Sequence, residues 1–176
     1  MKLPAIKKAK KREHRKAKDV RMKAVITTGV LRGHSMIDIY YPRIMGLLKI
    51  EPVKGTLDLR LEKPVDMRKF ATKQLNHVLM DGSTIVDAYL APIVLHIKFK
   101  ENDEEKVEDL RCWAIRQGIS IYREDILEVI SNVSIKDKYG LKDGDKLEII
   151  MFQLPAKKGM AKIKEKAKYL DRYKRG

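Results

Sequence analysis

The stretch Glu51-Pro52-Val53-Lys54-Gly55-Thr56-Leu57-Asp58-Leu59-Arg60-Leu61 joins turn chemistry to a strand. Pro52 and Gly55 punctuate the turn, and from Leu57 onward apolar residues alternate with Asp58 and Arg60, the period of a half-buried strand. On the C-terminal side, Asp66 is placed to cap a helix from Met67 to about Met80, with Phe70, Leu75 and Val78 as its apolar side. On the N-terminal side, Ala24 to Val30 and Ser35 to Tyr41 read as strands around the turn Arg32-Gly33-His34. The short apolar stretch Ile44 to Leu48 follows Pro42.

Further along, Thr84 to Leu90 and Ile93 to Phe99 read as two strands parted by Ala91-Pro92, and the acidic run Glu101 to Glu105 reads as a loop. Leu110 to Ile115 is another strand. Asp125 to Ile130 fits strand or helix on periodicity alone, and Ile135 to Tyr139 a short helix. Lys142-Asp143-Gly144-Asp145 has hairpin-turn chemistry ahead of a last strand, Lys146 to Phe152. Many short strands with few helices predict a mainly β chain closed into a barrel. The chain contains no internal repeat.

With 176 residues and 44% hydrophobic content, the chain can fill one core, and two full domains would be a squeeze. The single Cys112 excludes an internal disulfide framework or a cysteine metal cluster and points to the reducing cytoplasm. No apolar run approaches the roughly 18 residues of a membrane span. His34, His77 and His96 lack metal-ligand spacing and read as structural.

Charge divides the chain into three. Residues 1–24 carry a net +9 and residues 155–176 a net +7, while residues 25–154 sum to −1. The expected organisation is therefore a basic N-terminal tail over 1–24, a barrel domain over 25–154 and a basic C-terminal helix or tail over 155–176. In the N-terminal tail, Lys7, Lys8, Lys10, Lys11, Arg12, Arg15, Lys16 and Lys18 have almost no apolar residues among them, so no hydrophobic face offsets the ordering entropy. In the C-terminal tail, Lys157, Lys158, Lys162, Lys166, Arg172, Lys174 and Arg175 surround a narrow stripe of Met160, Ile163, Ala167 and Leu170, the pattern of a basic helix. So much segregated positive charge predicts structured RNA, and the ribosome in particular, as the partner.

Two segments carry a resemblance. Glu51 to Leu59, and Leu127 to Asp145 ending Leu-Lys-Asp-Gly-Asp, are similar to segments of the archaeal CTP-dependent riboflavin kinases, and the likeness covers roughly residues 24–153. It implies a small six-stranded barrel that moves the γ-phosphate of CTP to riboflavin to give FMN. The family's Mg²⁺ ligands, a threonine and an asparagine, fall on Thr56 and Asp58. Residues two apart on a strand share a face, so both oxygens can reach one hard cation. The flavin contacts fall on Ser120 and Glu128, and the C-terminal nucleotide contacts on Val133, Ser134, Ile135 and Lys136. The glycine-rich phosphate loop falls on Gly29-Val30-Leu31-Arg32-Gly33-His34, which keeps Gly29 and Gly33 as nucleotide contacts with His34. Leu31 stands there in place of the family's middle glycine. Apart from the resemblance, Thr56 and Asp58 read as ordinary solvent-face strand residues and Glu128 as an exposed carboxylate.

Two functions follow from these features. The tails favour an RNA-binding, ribosome-associated protein built on the barrel, since a domain kept for its shape need not preserve a phosphate loop. The retained site pattern favours the alternative, an active Mg²⁺-dependent kinase taking CTP and riboflavin.

Overall fold

The computed structural model describes residues 18–29, 33–80, 84–118 and 124–153. Seven strands run in the order β1 (Lys18–Thr27), β2 (Leu57–Leu61), β3 (Lys73–Met80), β4 (Thr84–Glu101), β5 (Glu104–Gln117), β6 (Ile126–Ile130) and β7 (Lys146–Gln153), with helices α1 (Gly33–Leu48) and α2 (Ile135–Tyr139). Spatially the order is β3-β4-β5-β6-β2-β1-β7, and β7 also pairs with β4. That last pairing closes β4, β5, β6, β2, β1 and β7 into a six-stranded antiparallel barrel and leaves β3 outside the ring. Closure removes the open edges that such short strands would otherwise expose.

The barrel interior is the inward-facing set the alternation requires: Ala24 and Ile26 on β1, Leu57, Leu59 and Leu61 on β2, Ile93, Leu95 and Ile97 on β4, Leu127 and Val129 on β6, and Ile149 and Met151 on β7. A short 3-10 turn over Met67–Lys69 supplies Met67, and with Val65 and Phe70 it joins this cluster. Asp66 does cap, its side chain accepting from the Arg68 N–H at 3.1 Å, but it caps only this turn.

The helix expected from Met67 to Met80 is instead that turn followed by β3. Leu75 and Val78 share a face three residues apart because a β-bulge lies between them: Leu75 pairs with Ala88 and Val78 with Val86, three steps on β3 against two on β4. The bulge imitates helical spacing. It is strapped from both sides, with the Arg43 guanidinium donating to the Asn76 and His77 carbonyls, and Asp87 accepting from the His77 N–H at 3.2 Å.

The strand expected over Ser35–Tyr41 is the first half of α1. Ile37, Tyr40, Ile44 and Leu48 form one helical stripe, buried against Leu75, Val78, Val86, Leu90, Ile115 and Ile130 on the outside of the barrel. Pro42 lies inside α1 on an exposed position, and burial of the stripe compensates the bond it removes. Lys49, at φ 60°, ends the helix in the left-handed region, its N–H bonded to the Met45 carbonyl at 2.8 Å.

Thr84–Leu90 and Ile93–Phe99 belong to one strand. Pro92 sits in the gap where one edge of β4 changes partner from β3, paired up to Leu90, to β7, paired from Ile93. The acidic loop shrinks to a two-residue turn, Asn102-Asp103, both at positive φ, between the paired Glu101 and Glu104. β1 begins at Lys18, so residues 18–24, which charge alone assigns to the tail, are barrel strand. The Asp125–Ile130 segment resolves as strand β6 from Ile126, with Asp125 in the turn before it, and α2 and β7 stand where the sequence puts them.

Candidate functional site

Alternation along the barrel strands puts one polar row on its outer face. Thr27 pairs with Asp58, Asp58 with Glu128, and Glu128 with Ile115, across β1, β2, β6 and β5. Each stands one residue out of step with the buried apolar set. Ile115 belongs to the cluster beneath α1, so Glu128 projects toward the α1 side of the wall.

Beside this row is a cleft of about 210 Å³, lined by three segments distant in sequence: Thr27–Gly29 at the end of β1, Val53–Asp58 leading into β2, and Val129 to Lys136 between β6 and α2. Its volume lies below the roughly 300–1,000 Å³ of sites that enclose a small molecule, so it has room for only part of one. The Val53 N–H bonds to the Ser131 carbonyl at 2.9 Å and ties two of the walls together. Gly55, at φ 88°, lets the chain turn sharply into β2, and Lys54 and Lys136 bring cations to the lining.

Thr56 and Asp58 converge. The Thr56 hydroxyl donates to Asp58 Oδ1 at 3.3 Å, and Asp58 is buried. Two oxygens on one octahedral Mg²⁺ are separated by about 2.9 Å, given metal–oxygen bonds near 2.0–2.1 Å, so this donor pair fits such an ion with small adjustment. Among the described residues no group of three His, Cys, Asp or Glu gathers as a metal site. One carboxylate and one hydroxyl suit a cation that takes its remaining ligands from water and phosphate.

Glu128 is half-buried next to Asp58. Burial first, and then the Asp58 charge, push its carboxyl up to about 7, against the opposing pull of Arg116. Arg116, half-buried at the end of β5, spends its guanidinium on backbone carbonyls, donating to Val65 at 2.6 Å, to Glu124 at 2.9 Å and to Ile126. It thereby holds the segment entering β6.

Gly29, Thr56, Asp58, Val133, Ser134, Ile135 and Lys136, singled out from sequence, line this one cleft, and Glu128 adjoins it through Asp58. Ser134 precedes α2 and donates to Asp137. Gly33 and His34 fall in the first turn of α1, where only the backbone is described, while Ser120, Val30, Leu31 and Arg32 lie outside the described residues. Of the tail lysines and arginines named above as RNA contacts, only Lys18, the first residue of β1, is among the described residues. Sequence reasoning missed Thr28, Arg116 and Asp143. Nothing local marks Thr28 and Arg116, whose partners Asp143 and Val65 are 115 and 51 positions away, and Asp143 reads from sequence only as a turn residue.

A family model described as CTP-dep_RFKase, domain of unknown function DUF120, matches residues 26–151, most of the chain and all of the cleft. The chain belongs to this CTP-dependent riboflavin kinase family. It is similar to a riboflavin kinase of Archaeoglobus fulgidus, 28% identical over 137 residues that cover 74% of this chain and 54% of that protein. A riboflavin kinase of Methanoregula boonei is 25% identical over 71% of this chain and 54% of its own length. One from Aeropyrum pernix is 25% identical over 69% of this chain and 88% of its own. The chain thus spans about half the length of the first two relatives.

Proposed function

We propose that this member of the CTP-dependent riboflavin kinase family is itself a kinase that transfers the γ-phosphate of CTP to the terminal hydroxyl of riboflavin. The observation that carries the proposal is the convergence of Gly29, the Thr56–Asp58 pair and Val133–Lys136 on one cleft, with Glu128 in register beside Asp58. In the transfer, the hydroxyl oxygen bonds to the γ-phosphorus as the bond to the bridging oxygen breaks, giving CDP, FMN and a released proton. Little of this requires covalent participation by the protein, so catalysis rests on positioning and charge.

Lys54 and Lys136 offset phosphate charge, and the backbone around Gly29 and Gly55 allows close approach. Thr56 and Asp58 would hold Mg²⁺, which when bound neutralises charge on the phosphate oxygens. Glu128, with Ser120 where the family resemblance puts it, orients the hydroxyl of riboflavin. Catalysis by Thr56, Asp58 and Glu128 requires no redox chemistry. Purified protein given CTP, Mg²⁺ and riboflavin is expected to form FMN, followed by fluorescence after chromatographic separation. No FMN, under conditions where the Aeropyrum pernix relative forms it, sinks the proposal.

Family membership favours the kinase over RNA binding as the function of the barrel. The tail charge still favours a separate contact with structured, ribosomal RNA, a reading carried by the sequence alone. The fold alters its test, since deletion of residues 1–24 would remove part of β1. Deletion of 1–17 and 155–176 is expected to abolish salt-sensitive co-sedimentation with ribosomal particles. Unchanged co-sedimentation overturns that contact. No helix among the described residues is long and apolar enough to cross a membrane. With one cysteine, Cys112, the chain can form no internal disulfide, which favours the cytoplasm.

A further inference from the structure

The Lys142–Asp145 turn contributes no residue to the cleft lining, yet it is bonded to two of the cleft's walls. Its backbone is fixed to the end of β1 in both directions, the Gly144 N–H donating to the Ile26 carbonyl at 2.8 Å and the Ile26 N–H to the Asp145 carbonyl at 2.9 Å. Gly144, at φ 93°, permits the turn, and Asp145 Oδ2 closes it by accepting the Lys142 N–H at 2.6 Å. The Asp143 carboxylate is therefore held by a turn anchored to the barrel.

From that position its two oxygens reach different walls. Oδ2 accepts from the Thr28 hydroxyl, on the β1 side of the cleft, and Oδ1 accepts from the Lys136 ammonium at 2.6 Å, on the α2 side. Thr28 and Lys136 both line the cleft, and Thr28 precedes Gly29. A free lysine has four rotatable bonds and loses their entropy when it meets an anion, whereas a lysine already held has lost much of it. The pair is exposed and screened by solvent, so what it supplies is placement of the ammonium rather than a large energy.

We propose that Asp143 is a positioning residue for the anionic part of the ligand, presenting Lys136 and the Thr28–Gly29 backbone from opposite walls of the cleft without touching the ligand itself. The inference rests on the nucleotide reading of the cleft given above. It adds a residue outside the lining that sets nucleotide affinity while leaving riboflavin affinity alone.

The test is CDP binding to the full chain by titration calorimetry with Mg²⁺, for wild type, Asp143→Ala, Asp143→Asn, Lys136→Ala and the Lys136→Ala/Asp143→Ala double variant. The Lys136–Asp143 pair is exposed, so its loss corresponds to a few-fold change, and Asp143→Ala is expected to weaken CDP binding by about three- to fivefold. In the Lys136→Ala background, the same change is expected to add less than about twofold, because its main intermediary is already gone. The KM for CTP rises in parallel while the KM for riboflavin stays put. Wild-type affinity in Asp143→Ala and Asp143→Asn, or effects of Lys136→Ala and Asp143→Ala that multiply independently, overturns the inference and leaves the kinase reading standing. If Asp143→Ala does not fold, the nearly isosteric Asp143→Asn with Thr28→Val decides it, wild-type affinity in both again overturning it. A wild-type chain that binds no CDP overturns both.

Discussion

Leu57, Leu59, Leu127 and Val129 on β2 and β6 are buried inside the barrel, whereas Asp58 and Glu128, one residue out of step on the same strands, stand on its outer face. The backbone is shared and the two faces differ in everything else. The inner face gains from removing apolar surface from water, and its cost of disruption is a packing cost. The outer row places two carboxylates in register, one of them buried and the other half-buried, an arrangement that works against stability. A closed barrel tolerates that row because its inner face fixes the strands. The difference teaches that rigidity here is supplied by one side of a strand and chemistry by the other.

The comparison is most exposed to Asp58→Ala. If the outer row serves ligand rather than fold, FMN formation should fall by about 1,000-fold, the several kcal/mol that a catalytic cation supplies, with thermal unfolding little changed. Asp58→Asn, which carries the residue the family has there, should retain activity. Loss of folding in Asp58→Ala would break the division between the two faces. Leu59→Ala, its neighbour on the inner face, should do the reverse and cost about 2–5 kcal/mol in denaturant unfolding, with the KM for CTP unchanged in the fraction that remains folded.

Glu128→Gln sharpens the comparison through pH. Burial, and then the Asp58 charge, push the Glu128 carboxyl up to about 7 from its ordinary 4.5, so between those values the folded state binds the extra proton. Stability therefore falls as pH rises from about 4.5 to about 7, and above that the full cost of burying the charge is present. In chelator-treated protein, Glu128→Gln should be more stable than wild type by about 3 kcal/mol at pH 8 and equal to it near pH 4.5, a shift of one pKa unit being about 1.4 kcal/mol. Equal stability at both pH values would mean that the outer row carries no strain. The smallest effect belongs to Arg21→Ala, which breaks an exposed bridge to Glu148 of 3.1 Å on the outer face away from the cleft. Exposed pairs are worth roughly 0–1 kcal/mol, so neither unfolding nor FMN formation should respond measurably.

Where apolar and polar residues alternate in the sequence, as over Leu57–Leu61 in β2, composition and alternation suffice to place the strand. Two segments defeat that logic for opposite reasons. In α1, the alternation of Met36 to Tyr41 ahead of Pro42 imitates a strand, although Ile37, Tyr40, Ile44 and Leu48 also form a helical stripe. Only the apolar surface of β3, β4 and β5 settles which pattern is buried. In β3, the bulge at Asn76 and His77 turns a period of two into a step of three, and the side chains that hold it, Arg43 and Asp87, come from α1 and β4. Leu75 and Val78 therefore look helical until the partner strand is present.

The site divides in the same way. Thr56 and Asp58 are legible because their spacing alone puts them on one face of a strand, and the segments Glu51–Leu59 and Leu127–Asp145 are continuous enough to carry the family resemblance. Barrel class, the placement of β2, α2 and β7, and the segregation of charge into the tails were all determined by the sequence, since each depends on residues within a few positions of one another. Closure of the ring by β4 and β7, the row Thr27–Asp58–Glu128, the elevated Glu128 carboxyl and the grip of Asp143 on Thr28 and Lys136 were decided only by the tertiary structure. Register between distant strands and burial of a charge are properties of pairs, and no local pattern along one chain encodes which partner arrives.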